Sequence, residues 1–259
     1  IATTHIELRT RAIELKIETR SIHASSSLTS MIGECGLHFY KVGKIATIMS
    51  EMKSLTYPYY IIYKNIIEGN HTVLLLEYNQ NKDFFLDPND ALKELLETEE
   101  GQGRKVLTES SYAIVASRIG FKDQTIVSGK ISSLAQTNFG KPPHTVIIPG
   151  RLHFTESDAL KLFGQCIDEP FDNSEKTEKI SKQMMKKYVP MVREALEEII
   201  PLYKNQKEFE VILENAELYI EQAEIFLDEG RDENAILSIG YADGLVDALR
   251  LAKGLEFKM

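Results

Sequence analysis

Residues 142–164 read "PPHTVIIPGRLHFTESDALKLFG" and hold two kinds of local order side by side. "HTVII" is a nearly continuous apolar run, the pattern of a strand buried on both faces. Proline has no amide hydrogen to give a sheet ladder, so Pro143 and Pro149 bound that strand. "TESDALKLFG" turns to helical spacing, with a Thr-x-x-Asp cap at its start and Gly164 as its stop. A buried strand followed at once by a short helix is the repeating unit of an α/β domain.

Upstream the alternation continues. Strand patterns lie at 44–50, in "HTVLLLEY" (71–78), in "SYAIVASRIG" (111–120) and in "QTIVSGK" (124–130). Helical patterns lie between them at about 28–38, in a segment stopping at Gly69, and from Asp87-Pro88-Asn89-Asp90 to about Glu97, where Asp or Asn is the N-cap. Gly101-Gln102-Gly103 reads as a hairpin turn. At the start, residues 1–15 read as a helix opened by the capping box Thr4-His5-Ile6-Glu7, and 17–23 as a strand. A helix that opens an α/β unit follows a strand. None precedes Ile1 and there is no initiator Met, so the expectation is that the chain begins in the middle of a domain.

No strand pattern follows Asp168. Three amphipathic helical stretches replace it. In the second, Phe209, Ile212, Leu213, Ala216, Ile220, Ala223 and Leu227 recur at spacings of three and four, one stripe of a helix. Gly230 reads as its C-cap, Asp232 as the N-cap of the third, and Pro190 as a kink in the first. A three-helix bundle buries all three stripes. The charge changes at the same place. Residues 1–167 carry 18 acidic and 18 basic side chains, whereas 168–259 carry 21 and 12, so the net charge of −9 sits in the last third. Such a shift marks a domain boundary and argues against nucleic acid as a partner of that segment.

Of the 259 residues 43% are hydrophobic and 27% charged, as in an ordinary globular protein. No apolar run approaches the ~18–20 residues that cross a bilayer. Cys35 and Cys166 form no CxxC motif, which points to a reduced, cytoplasmic setting. The histidines at 5, 23, 38, 71, 144 and 153 show no metal-ligand spacing, and no metal is expected. No GxSxG elbow supports a hydrolase. Two stretches stand out as sites. "SIHASSSL" (21–28) follows an expected strand and its small side chains let a ligand approach backbone amides, although an ordinary Ser-rich loop explains it too. His144 sits between two prolines and a buried strand, where its orientation is well fixed, although for a single histidine a structural role is the favoured reading.

"IATTHIELRTRAIELKIETRSIHASSSLTSMIGECGLHFYKVGK" closely resembles the diphthine synthase family of methyltransferases. "GNHTVLLLEYN", "VASRIGFKDQTIVSGK" and "FGKPPHTVIIPGRLHFTESDAL" continue the resemblance in the same order, over about residues 1–165. The resemblance implies the tetrapyrrole-methylase fold: an incomplete first α/β domain over 1–43 and a complete second one over 44–167. An all-α module over 172–259 resembles a small archaeal helical domain of unassigned function, on "FLDEGRDENAILSIGYADGLVDALRLA". The family uses S-adenosylmethionine to methylate a modified histidine, the 3-amino-3-carboxypropyl-histidine of translation elongation factor 2, and is homodimeric.

By the same resemblance, Ile1, Ser27, Leu28, Leu76, Ile119 and His144 fall at cofactor-binding positions, with the register at Ser27 and Leu28 shifted by one residue and "SRIG" where the family reads "AR-x-G". No residue is singled out as a catalytic base. The alternatives are another methylase of this fold, acting on a corrin precursor or ribosomal RNA, and a non-catalytic remnant whose helical tail binds a protein.

Overall fold

The computed structural model describes residues 3–50 and 55–255, residues 3 and 4 by their backbone alone. The readings at Ile1 and at the Thr4 hydroxyl lie outside the described residues. Helix α1 (Thr3–Glu14) is present, with Ile6, Leu8 and Ile13 exposed. The strand expected over 17–23 is not formed. Residues 17–26 have no regular structure and their side chains are exposed. Ile17 and Ile22 are five residues apart and fall on opposite faces of a pleat, so the run has no apolar face to bury, and among the described residues no strand lies beside it.

Helix α2 (Ser27–Glu34) follows, then β1 (Ala46–Ile48), α3 (Thr56–Ile67) and β2 (Thr72–Leu76). A small hairpin, β3 (Tyr78–Asn79) with β4 (Phe84–Phe85), leads to α4 (Pro88–Gln102). Strands β5 (Tyr112–Ser117) and β6 (Thr125–Lys130), the single turn α5 (Ile131–Leu134), β7 (His144–Ile148), α6 (Phe154–Phe163) and β8 (Gln165–Cys166) complete the α/β part. Its sheet has six strands in the order β1-β2-β7-β5-β6-β8. The outer pairs β1–β2 and β6–β8 are parallel, and the inner pairs are antiparallel. All six residues of β5 are buried, which accounts for its unbroken apolar sequence.

Alternate side chains of the sheet enter two cores. On one face Ile62, Leu74, Leu92, Leu95, Val115 and Val146 pack with α3 and α4. On the other, Met31, Ile32, Val73, Ile114, Ile147 and Leu160 pack with α2 and α6.

Three local readings change. Gly101 and Gln102 form the last turn of α4, five residues beyond the expected end, and Gly103 caps it in the left-handed region (φ 61°), so no hairpin exists there. Helix α6 is opened by His153, whose ring accepts the Thr155 amide while Glu156 accepts the amide of His153; Thr155 and Asp158 do not form the cap. Gly164 is extended and leads into β8, a strand the sequence did not announce.

Helices α7 (Ile180–Tyr203), α8 (Glu210–Asp228) and α9 (Asp232–Ala252) enclose a third core, to which Val192, Ile199, Ala216, Ile220, Ala235 and Val246 contribute. Helix α7 runs through both Pro190, which is exposed, and Pro201. Of the expected α8 stripe, Ala216, Ile220 and Ala223 are fully buried, and Phe209, Ile212, Leu213 and Leu227 partly so. Gly230 (φ 73°) closes α8. Its amide donates to Leu227 O at 3.0 Å and the amide of Arg231 to Phe226 O at 2.8 Å, respectively the five-to-two and six-to-one bonds of a Schellman ending. Arg231, not Asp232, is the N-cap of α9; Asp232 begins the helix and pairs with Lys179 at 2.9 Å.

The segment before α7 is fastened to the sheet. The Asn173 side chain is buried, accepts from the Tyr112 amide (2.8 Å), and donates to Tyr112 O (2.9 Å) and Pro149 O (2.6 Å).

Candidate functional site

The carboxyl ends of β1, β2 and β5 share one edge of the sheet with the beginning of β7. Ser117 pairs with His144 across β5–β7, and Leu75 pairs with Thr145 across β2–β7. One step further in that register sets Leu76 across from His144. Leu76 also pairs with Ile48 of β1. In sheets of this kind, ligands gather at such carboxyl-end edges.

His144 is half-buried, and its Nδ1 lies 2.9 Å from the Ser117 hydroxyl. Burial lowers its pKa from the ordinary histidine value, with the Asp87 charge opposing, so the ring is neutral near pH 7. The Ser117 hydroxyl fixes the ring's orientation. Nε2 has no hydrogen-bond partner among the described residues. Ser117 itself is buried, and only the strand register reveals its role.

The turn after β5 is tightly held. Arg118 takes a left-handed conformation (φ 53°), donates from its amide to Pro143 O (3.0 Å) and from Nη1 to Pro142 O (3.1 Å), and pairs with Asp123 at 2.8 Å. Ile119 follows and packs on the core beneath α2.

Leu28 packs on that same core and lines a cavity of about 540 Å³ with Ser26, Thr29, Ile32, Val42 and Val73. Gly43 is part of its wall. A Cβ there would lie 2.3 Å from Asn65 Oδ1, so only glycine lets the chain pass this close. Asn65 is buried and bonds Lys44 O (2.8 Å) and Thr72 Oγ1 (2.9 Å). "SIHASSSL" therefore does not follow a strand; its end enters α2 beside this cavity, with Ser27 exposed.

The six positions thus divide. Leu76 and His144 sit together at the sheet edge, and Leu76 packs on the α3–α4 core. Ile119 and Leu28 pack on the opposite core, where Ser27 stands at the start of α2. Ile1 lies outside the described residues.

A second polar centre lies at the other end of β2 and β7. Glu156 is fully buried. It accepts from His71 Nε2 (2.9 Å), Lys41 Nζ (2.6 Å) and the amides of His38 (2.7 Å) and His153 (2.8 Å). The Gly150 amide donates to His71 Nδ1 at 3.2 Å, which leaves Nε2 to carry the proton. Burial alone would raise the Glu156 pKa, but these donors together hold it far below the usual carboxylate range. The sequence offered no signal for this centre, since its members are scattered between residues 38 and 156. Among the described residues, no group of three or more His, Cys, Asp or Glu is arranged to hold a metal ion, and no helix is long and apolar enough to cross a membrane.

Comparison with known proteins gives the chain's family. The chain is 36% identical over 182 residues to the diphthine synthase of Methanosarcina mazei, covering 68% of each chain. The chain belongs to the diphthine synthase family. It is also 39% identical over 171 residues to the diphthine synthase of Methanocaldococcus jannaschii, covering 64% of this chain and spanning 66% of that relative's length. A crystal structure of diphthine synthase is similar with TM-score 0.56 and 28% identity, over 64% of this chain and 62% of the other. A conserved hypothetical protein from Aeropyrum pernix shares the fold at TM-score 0.57 and 22% identity, over 71% of this chain and 67% of that one. Residues 187–255, most of α7–α9, match a separate family described as a protein of unknown function, DUF357.

Proposed function

We propose that the α/β part of this chain serves an S-adenosylmethionine-dependent methyl transfer of the diphthine synthase type. The acceptor on this reading is the amino group of the 3-amino-3-carboxypropyl-histidine of elongation factor 2, and the working form is a cytoplasmic homodimer. The observation that carries it is the placement of His144, oriented by Ser117, across from Leu76 at the carboxyl-end edge of a sheet belonging to this family. Division into an α/β part over 1–167, itself split at 43/44, and a helical module over 172–259 belongs to the same proposal.

A cavity of about 540 Å³ lies within the usual range for small-molecule sites; of the six positions only Leu28 lines it, with hydroxyls from Ser26, Thr29 and Tyr40, while Leu76, Ile119 and His144 lie outside its lining. S-adenosylmethionine, when bound, supplies a methyl group already activated on a sulfonium. What remains for the protein is positioning and the exclusion of water. Neutral His144 offers Nε2 as a hydrogen-bonding atom without adding positive charge. Leu28, Leu76 and Ile119 supply apolar surface, and a dry site lowers the pKa of an acceptor amine so that its lone pair is free. Among the described residues none is assigned as a general base.

Titration calorimetry of the chain with S-adenosylmethionine tests the reading. His144→Ala and Leu76→Glu should each weaken binding by about tenfold or more with the circular dichroism spectrum unchanged, the order of one lost buried contact. No binding by the parent chain, or equal binding by all three proteins, contradicts it.

A further inference from the structure

Helices α7 and α9 do not close on each other along their whole length. Between them lies a slot of about 140 Å³, walled by Met184, Tyr188 and Val192 from α7 and by Ile239, Gly240 and Asp243 from α9. Glycine is among the least favoured residues in a helix interior. A Cβ at Gly240 would meet no atom within 4 Å, so no packing constraint inside this chain demands glycine there. Its effect is to leave the slot open.

At this apolar slot stands a carboxylate. Asp243 is half-buried and, among the described residues, has no hydrogen-bond or ion-pair partner. Burial, and then the charge of Asp247 one turn along, raise its pKa. The slot lies in the segment that carries 21 acidic and 12 basic residues. The nearby Lys187 ammonium already lies 5.4 Å from the Tyr188 ring centroid, a distance at which ring faces attract cations.

We propose that this slot receives a lysine side chain of a protein partner, the alkyl stem lying against Met184, Tyr188 and Gly240 and the ammonium meeting Asp243. A slot of about 140 Å³ has room for an alkyl stem, and its single carboxylate suits a single ammonium. Charge complementarity supports a basic partner segment, since the module is strongly acidic. The inference is independent of the methyl-transfer reading and concerns the segment whose matched family has no assigned function.

The test is amide chemical-shift titration of the ¹⁵N-labelled full chain. The probes are Nα-acetyl-lysine methylamide, its norleucine counterpart and n-butylammonium. The lysine probe should give saturable shifts at residues 184–192 and 236–243, and should bind about three- to fivefold more tightly than the norleucine probe, the range of one partly exposed ion pair. Asp243→Asn should erase that preference. Gly240→Leu should fill the slot and abolish binding of both probes. If Gly240→Leu unfolds the module, the Asp243→Asn comparison decides. Absence of saturable shifts, equal affinity for lysine and norleucine probes, or a preference that survives Asp243→Asn would overturn the proposal. Binding of n-butylammonium without the lysine probe would also overturn it, by pointing to a free amine.

Discussion

The α/β part and the helical module bury their polar groups differently. In the α/β part, side chains bond to distant backbone or to each other across the sheet. Glu156 gathers donors from residues 38, 41, 71 and 153, Asn65 joins Lys44 to Thr72, and Asn173 clamps Tyr112 and Pro149. The module relies on aliphatic stripes at helical spacing. Its buried polar fittings, such as the Tyr203 hydroxyl on Leu249 O (2.7 Å) and Arg250 with Glu198 (2.9 Å), are fewer among the described residues. The physical lesson is that a sheet joining sequence-distant strands needs polar pins to fix its ends, whereas antiparallel helices joined by short turns are fixed by their stripes.

The largest expected effect is at the pin. Glu156→Ala leaves Lys41 and the amides of His38 and His153 without their acceptor, and should lower stability of the α/β part by about 3–5 kcal/mol in urea denaturation. The pH profile sharpens this. The folded pKa of Glu156 is depressed, so its contribution is present above the unfolded value of about 4.3 and is lost as pH falls below it. The parent chain should therefore lose stability on acidification, and Glu156→Gln should lose less over the same interval. Parallel profiles would show that the pin does not titrate as described.

Next is the module's stripe. Ile220 is fully buried, and Ile220→Ala should cost about 2–5 kcal/mol, read as earlier loss of the α7–α9 amide resonances on heating with the amide resonances of β5 and β7 unchanged. A shift of both signals together would break the distinction between the two regions. Leu213 is only partly buried, so Leu213→Ala should cost less, about 1–2 kcal/mol by the area it removes from contact. Smallest is Lys179→Ala. Its ion pair with Asp232 is largely exposed, and its loss should cost under about 1 kcal/mol and fade in high salt.

The same contrast explains what the sequence disclosed. β2, β5 and β7 were legible because strands buried on both faces are nearly continuous in apolar residues. The α8 stripe was legible because its period persists over the helix. β8 was not, because two residues, Gln165 and Cys166, carry no period. Residues 17–23 form no strand: their two isoleucines, Ile17 and Ile22, fall on opposite faces of a pleat, and pairing depends on a neighbour that no local pattern reports. The His153 cap was missed because hydroxyl and carboxylate side chains are the usual N-caps, and the hydroxyl at Thr155 drew the assignment. At the site, His144 was conspicuous among prolines, whereas Ser117 acquires meaning only when the β5–β7 register sets it beside the ring. Long-range pairing, which determines both Ser117 and the Glu156 centre, is what one-dimensional periodicity leaves out.

Amide hydrogen exchange of the full chain, with and without S-adenosylmethionine, is the decisive measurement for the methyl-donor assignment. That assignment requires added protection at Leu28, Leu76, Ile119 and His144 and their neighbours, and unchanged exchange in α7–α9. Protection concentrated in α7–α9, or no change at the β2 and β7 edge, would contradict it.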